Sequence, residues 1–365
     1  MAYGIITHYD VHNHGAVLQL NALVKVLYEQ FGITAYALRF DKNYDFMGRE
    51  LKAKYEISIR SVGIYLKYLQ NNGLKRVLFN MKKKWLLDKF KEQEALIGEY
   101  YTRCGELDGV IVGSDEVFAL HTGPTPVFFG HACPSKKVFA YAGSFGPTGY
   151  EDIEKHHCLP FVRSGIESMA GVSVRDRNSF EIVSRLVGRE PALVCDPVLL
   201  YGYERERACF RAVDQPPYLL VYAYDNNMND PEEVGEIRAY ARAKGLQIVS
   251  AGFYHEWCDR NINVDPIGLL NYFASAACVV TDTFHGSVMS ILNGCNLAVR
   301  TRGNGNKLCN LLTEYGLTDR ILSPSRPLGQ IFSEQADYAN IQRVLIRRRN
   351  DSMAYLASMI QSCQQ

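Results

Sequence analysis

The sequence predicts an α/β chain built from two doubly wound domains that face each other across a cleft. Three observations carry this. Short apolar runs alternate with stretches of helical period along most of the chain, the pattern of parallel βαβ units with right-handed crossovers. Several apolar runs finish in small or charged residues, at Ser114-Asp115, Gly143-Ser144, Arg175-Asp176 and Asp196-Pro197. Such endings suit one shared crevice along the carboxyl ends of the strands. The same alternation starts again near Pro216, and 365 residues suffice for two domains of ordinary size.

In order, residues 3–9 read as a first strand, 10–15 as a polar turn, and 16–30 as a helix with Val17, Leu18, Leu20, Leu23, Val24 and Leu27 at helical spacing. Residues 33–40 follow as a strand, and 41–101 as a mainly helical, basic insertion. Buried-type strands are expected at 109–113, 137–142, 170–174 and 192–195. In the second unit the strands fall at 218–224, 247–252, 278–281 and 296–300, with helices at 232–244, 267–275 and 307–315. The first domain is thus expected over 1–205, the second over 206–335, and a C-terminal helix over 336–365 that packs back toward the first.

Composition narrows the class. Forty-seven per cent hydrophobic and 22 per cent charged residues describe a soluble globular chain, and a net charge of +1 argues against a nucleic-acid binder. The first residues lack the basic flank and apolar core of a signal peptide, and no apolar run reaches the ~20 residues of a membrane span. A cytoplasmic protein is expected. The ten cysteines are scattered without a Cys-x-x-Cys pair, which points to reduced thiols rather than a zinc site or disulfide framework. His8, His12 and His14 lack a supporting carboxylate, so no metal is expected there.

The most chemical stretch is Thr281-Asp282-Thr283-Phe284-His285-Gly286-Ser287, where an apolar strand gives way to a helix start. Backbone N–H groups at a helix start favour an anion, and imidazole titrates near neutral pH. His285 is therefore either a proton carrier or a histidine held in a packed turn. Asp115 is either a base that accepts or orients a hydroxyl, or with Ser114 a helix cap. Arg175 either grips an oxyanion or pairs with Asp176 or Asp196.

Five segments, in order, carry a family resemblance: Asn13-His14-Gly15-Ala16-Val17-Leu18-Gln19; the strand end Gly113-Ser114-Asp115-Glu116; Ser173-Val174-Arg175-Asp176 with Asp196-Pro197; Thr283-Phe284-His285-Gly286; and Gly305-Asn306-Lys307. Together the chain resembles the polysaccharide pyruvyl transferases, whose members move the enolpyruvyl unit of phosphoenolpyruvate onto sugar hydroxyls. The resemblance implies two Rossmann-like domains of the glycosyltransferase-B type, and a role in building exopolysaccharide or other cell-envelope glycans in bacteria. It implies His285 and Asp115 as catalytic residues, with Arg175, Ser173, Thr283, Gly286, Ser287 and Lys307 toward the donor. Asn13, His14, Gly15, Gln19 and Ser114 would face the acceptor. Phosphoenolpyruvate enters as co-substrate with no resident cofactor, and the acceptor is a glycan or lipid-linked oligosaccharide. Thr283 stands where some members carry an arginine. Lys307 stands where arginine is common, and it cannot make the same bidentate fork.

Two competing functions fit the same architecture: a glycosyltransferase using a nucleotide sugar, and a non-catalytic glycan-binding relative. The basic segment 75–91, with Trp85, Leu86, Leu87 and Phe90, reads as a solvated helix with one core face or as a peripheral membrane contact.

Overall fold

The structure, a computed structural model, describes residues 1–41, 61–302 and 305–364, with the backbone alone for 61–72 and 305–306. The first sheet holds β1 (Ala2–Ile6), β2 (Thr34–Arg39), β3 (Ile97–Tyr100), β4 (Gly109–Val112), β5 (Val138–Gly143), β6 (Gly171–Val174) and β7 (Ala192–Leu193). The second holds β8 (Tyr218–Tyr222), β9 (Gln247–Ala251), β10 (Arg260–Ile262), β11 (Cys278–Thr281) and β12 (Leu297–Val299). Their orders are β3-β2-β1-β4-β5-β6-β7 and β10-β9-β8-β11-β12. Every pairing is parallel.

In each sheet the chain winds outward for three strands and then returns to the other side of the first. The direction thus reverses between β1 and β4, and between β8 and β11, and crevices for ligands open at the carboxyl ends of those pairs. The central strands β4, β8 and β11 are buried at every position. This explains their uniformly apolar sequences, since strands covered on both faces have no solvent side to alternate with.

Helix α1 (His14–Phe31) follows β1; Asn13 caps it by accepting from the Gly15 and Ala16 N–H groups, and Gly32 ends it at φ 63°. Its first ten residues are all buried because they lie between the sheets. One apolar core runs across both halves there, joining Ile5, Leu18 and Tyr203 to Tyr222, Phe284 and Val288. The C-terminal helix, Tyr338–Gln364, returns to the first sheet as expected. Its Tyr355 hydroxyl donates to Ala140 O at 2.8 Å, and its Ser352 Oγ accepts from Cys195 N at 2.9 Å.

The expectation of a mainly helical 41–101 needs correction at its end. A helical stretch, α2 (Ser61–Gln93), is broken at Gly73 (φ 71°), but Ile97–Tyr100 forms the edge strand β3. Four residues carry too little periodicity to be read. Here tertiary contact decides: a Cβ on Gly98 would sit 2.0 Å from the Tyr36 ring, so the strand lies flat against β2. Residues 42–60 of that expected insertion, and Gly303-Asn304 of the turn before Lys307, lie outside the described residues. All ten cysteines are free. Among the described residues no helix is long and apolar enough to cross a membrane.

Candidate active site

The carboxyl end of β4 turns sharply. A Cβ on Gly113 would lie 2.2 Å from Tyr141 O, so bare backbone is required where the chain swings out. Asp115 follows with φ 80°, a conformation rare outside glycine. Ser114, fully buried, accepts from Asp115 N at 2.7 Å and from Arg175 Nη1 at 3.4 Å. Its carbonyl accepts from Thr7 Oγ1 at 2.9 Å, and Thr7 Oγ1 in turn accepts from Gln19 Nε2 at 3.2 Å.

Arg175, just past β6, is the hub. Nη2 donates to Asp115 Oδ1 and Nη1 to Asp196 Oδ2, both at 2.9 Å. Its Cζ stands 4.4 Å from the centre of the Phe284 ring, a cation–π contact that strengthens away from water. The side chain is only 1% exposed and that of Asp196 fully buried. Of the ion pairs considered for Arg175, the one with Asp196 forms and the one with Asp176 does not. Asp176 caps the next helix through Ser179 N at 2.8 Å and accepts from Ser144 Oγ at 2.6 Å. Burial alone would raise the Asp115 carboxyl, but the charge of Arg175, helped by His285, His8 and Lys307, holds it well below the usual range.

β11 delivers the histidine. Thr283 caps the helix Phe284–Asn293 by accepting from Gly286 N at 2.9 Å. A Cβ on Gly286 would fall 2.1 Å from Thr281 Oγ1, so only glycine lets the turn close. Ser287 Oγ donates to Thr283 O at 3.3 Å and is fully buried. Thr283, Gly286 and Ser287 therefore build the turn, the hydroxyls of Thr283 and Ser287 bonding within it. His285 differs. Its Nε2 is buried without a hydrogen-bond partner among the described residues and stands 3.7 Å from Asp196 Oδ2. Burial lowers its pKa against the raising pull of Asp196 and Asp115, with Arg175 and Lys307 adding to the fall, so the free site holds a neutral imidazole at pH 7.

Lys307, from the second half, forms an ion pair with Glu116 of the first. Burial would raise Glu116, yet Lys307 lowers it below its ordinary value. His121 Nε2 lies 3.4 Å from the same carboxylate. The lysine expected to reach a phosphate thus begins neutralised across the cleft.

Other candidates stand elsewhere. His14 is fully buried, and its Nε2 bonds Val264 O at 2.9 Å; burial pushes its pKa down to about 4. It joins the two halves, and its Nδ1 has no partner among the described residues. Gln19, fully buried, donates from Nε2 to Thr7 Oγ1, while its Oε1 has no partner among the described residues. Ser173, also fully buried, is occupied by the β5 backbone, donating to Ala140 O at 3.0 Å. Asn13 is taken by its cap. His8, His12 and His14 diverge: His8 packs edge-on to Phe128, and His12 Nε2 meets Asp88 at 3.2 Å. Among the described residues no group of three His, Cys, Asp or Glu is placed to hold a metal. Among the site residues, the sequence offers Asp196 only as an ion partner for Arg175 and gives Glu116 and Phe284 no role of their own. Asp196 ends a strand-like run, which was the available signal; the other two adjoin Asp115 and His285 and lacked one of their own.

No curated protein matches the chain in sequence. Among solved structures, the UDP-GlcNAc 2-epimerase from Neisseria meningitidis bound to UDP-GlcNAc shares 10% identity and a TM-score of 0.48, covering 99% of each chain. A putative UDP-N-acetylglucosamine 2-epimerase from Listeria monocytogenes gives 10% identity and 0.48, covering 98% of this chain and 95% of that one. The glycotransferase of kitacinnamycin gives 11% and 0.48, over 99% and 98%. These are distant likenesses and carry no statement about substrate. The family model for polysaccharide pyruvyl transferase, by contrast, matches residues 13–302, from the cap of α1 past the histidine turn. The chain therefore belongs to the polysaccharide pyruvyl transferase family and is a transferase.

Proposed function

We propose that the protein moves the enolpyruvyl group of phosphoenolpyruvate onto two hydroxyls of a cell-surface polysaccharide precursor, forming a pyruvate ketal. The observation that carries this reading is the unpartnered His285 Nε2 beside the Asp115–Arg175–Asp196 network. The donor brings a carboxylate and a phosphate. One of them takes Lys307 from Glu116 while Arg175, whose Nε has no partner among the described residues, supplies a second cationic edge.

A trianion beside a neutral imidazole raises its proton affinity, so donor binding itself loads the acid. Protonated His285 gives its proton to the donor methylene carbon as the first hydroxyl oxygen attacks the neighbouring carbon. That hydroxyl's proton restores the histidine. Phosphate then leaves, the second hydroxyl closes the ketal, and its proton departs with the phosphate. Asp115, held strongly acidic, is a poor base and serves to orient the attacking hydroxyl. No cofactor beyond phosphoenolpyruvate is required by this balance.

In this reading the acceptor takes a cavity of about 670 Å³ beside the ends of β1 and β2, edged by Arg39, Lys84 and Lys91 together with Asp10, Asp88 and Glu92. The acceptor in this reading is a glycan or lipid-linked oligosaccharide met in the cytoplasm. Incubation with phosphoenolpyruvate and a panel of such acceptors tests the reading: inorganic phosphate release with a mass gain for the ketal is expected. Transfer of sugar from a nucleotide sugar, or binding of glycan without turnover with any donor, would replace it.

A further inference from the structure

We infer that the second half of α2 is a docking face for an anionic membrane surface. Beyond the break at Gly73, the helix buries Leu87 and Phe90 in the core. Its opposite face does something unusual for a soluble helix. Leu74, Leu78, Met81 and Trp85 are 64%, 55%, 63% and 58% exposed, and their spacing of four, three and four puts them in one stripe. Four large apolar side chains in contiguous exposure mark an interaction surface rather than scattered surface hydrophobics.

The charges around the stripe select its partner. Lys75, Lys82 and Lys89 recur every seven residues and so line one edge of it. All three are exposed, and none pairs with a carboxylate among the described residues. Lys89 Nζ lies 5.1 Å from the Trp85 ring centre, stem along the apolar surface and charge outward. On the other edge, Lys84 and Lys91 share Asp88 at 2.7 and 2.8 Å. Glu92, the remaining exposed acid of this stretch, comes seven residues after Trp85, two turns past the end of the stripe.

A tryptophan and aliphatic side chains beside unpaired lysines are what an interfacial helix presents to anionic headgroups. A second copy of the chain is the poorer fit. In an antiparallel pairing of two such helices the lysine edge would face its own counterpart, like charge against like. The same helix walls the 670 Å³ cavity through Lys84 and Lys91, so attachment would hold that cavity close to the lipid plane. The docking itself does not depend on the donor or the reaction.

Flotation of the full chain with phosphatidylcholine vesicles containing about 30% phosphatidylglycerol, against pure phosphatidylcholine, tests this. Binding is expected to the anionic vesicles at low salt, weakening as salt rises, with a blue shift of Trp85 fluorescence. The triple variant K75E/K82E/K89E should bind roughly 100-fold more weakly, and L78S/W85S should lose the spectral shift with unchanged circular dichroism. Absence of binding to anionic vesicles at low salt would overturn the inference, as would equal binding by both variants. So would a concentration-dependent dimer that L78S/W85S dissolves in the absence of lipid.

Discussion

Gly15 presents bare backbone to the imidazole of His285: a Cβ at Gly15 would lie 2.2 Å from His285 Cγ and 2.5 Å from Nδ1. The start of α1, in the first half, is thus the floor on which the second half's histidine rests. Glycine is a poor helix residue, so helix propensity alone would make Gly15→Ala stabilising by about 1 kcal/mol. The contact reverses the sign. Gly15→Ala is expected to destabilise by about 1–3 kcal/mol and, by tilting His285, to cut kcat far more than it changes KM. Thermal unfolding and phosphate-release kinetics check both halves of this; a stabilised, fully active variant would sink it.

His285 is expected to show two different pKa values. Burial keeps it neutral in the free site, and the bound donor anion raises it. If the protonated form is the acid, as proposed, kcat/KM should fall as pH rises through a value below the ordinary histidine pKa, while kcat should hold to a higher pH. His285→Ala should lose about 10²–10⁴-fold in turnover. Coincident pH limbs for kcat and kcat/KM would contradict the loading of the acid by the donor.

Arg175 stands between the buried Asp196 and the partly buried Asp115, and its removal leaves the two carboxylates without their shared cation. Arg175→Ala is expected to cost about 3–5 kcal/mol at neutral pH. In the wild type the depressed Asp115 pKa contributes stability that is present above the unfolded value of 3.8 and lost as pH falls through the folded one. In the variant, burial and mutual repulsion raise the carboxyl, so stability is instead lost as pH rises through that higher value. Denaturation midpoints at acid and neutral pH should therefore diverge from wild type mainly at neutral pH.

His14 gives the protein an acid-sensitive joint. Its folded pKa of about 4 lies below the ordinary 6.5, so its stabilising share is complete above 6.5 and is lost as pH falls from there toward 4. A depression of this size corresponds to about 3 kcal/mol. His14→Gln, which cannot be protonated, should be less stable at pH 8 yet lose less on acidification. Melting temperatures across that range decide it; parallel curves for the two proteins would count against this role.

The sequence by itself determined the alternation of strands and helices, the two units, the switch-point turns after β4 and β11, and the identity of His285, Asp115 and Arg175 as the polar residues at strand ends. These are local patterns with short periods, so they survive in one dimension. The exposed stripe on α2 was half visible: its lysines were plain, but which face meets the core is settled only by packing.

Partner choice was decided by the tertiary structure alone. Arg175 had Asp176 beside it and took Asp196, 21 residues on, because Asp176 was committed to a helix cap. Lys307 met Glu116 across 191 residues, and His285 came to rest on Gly15. Nothing in residue spacing encodes such meetings. They arise because two parallel sheets, each ending in short polar turns, are held with their carboxyl ends toward one another by a shared apolar core.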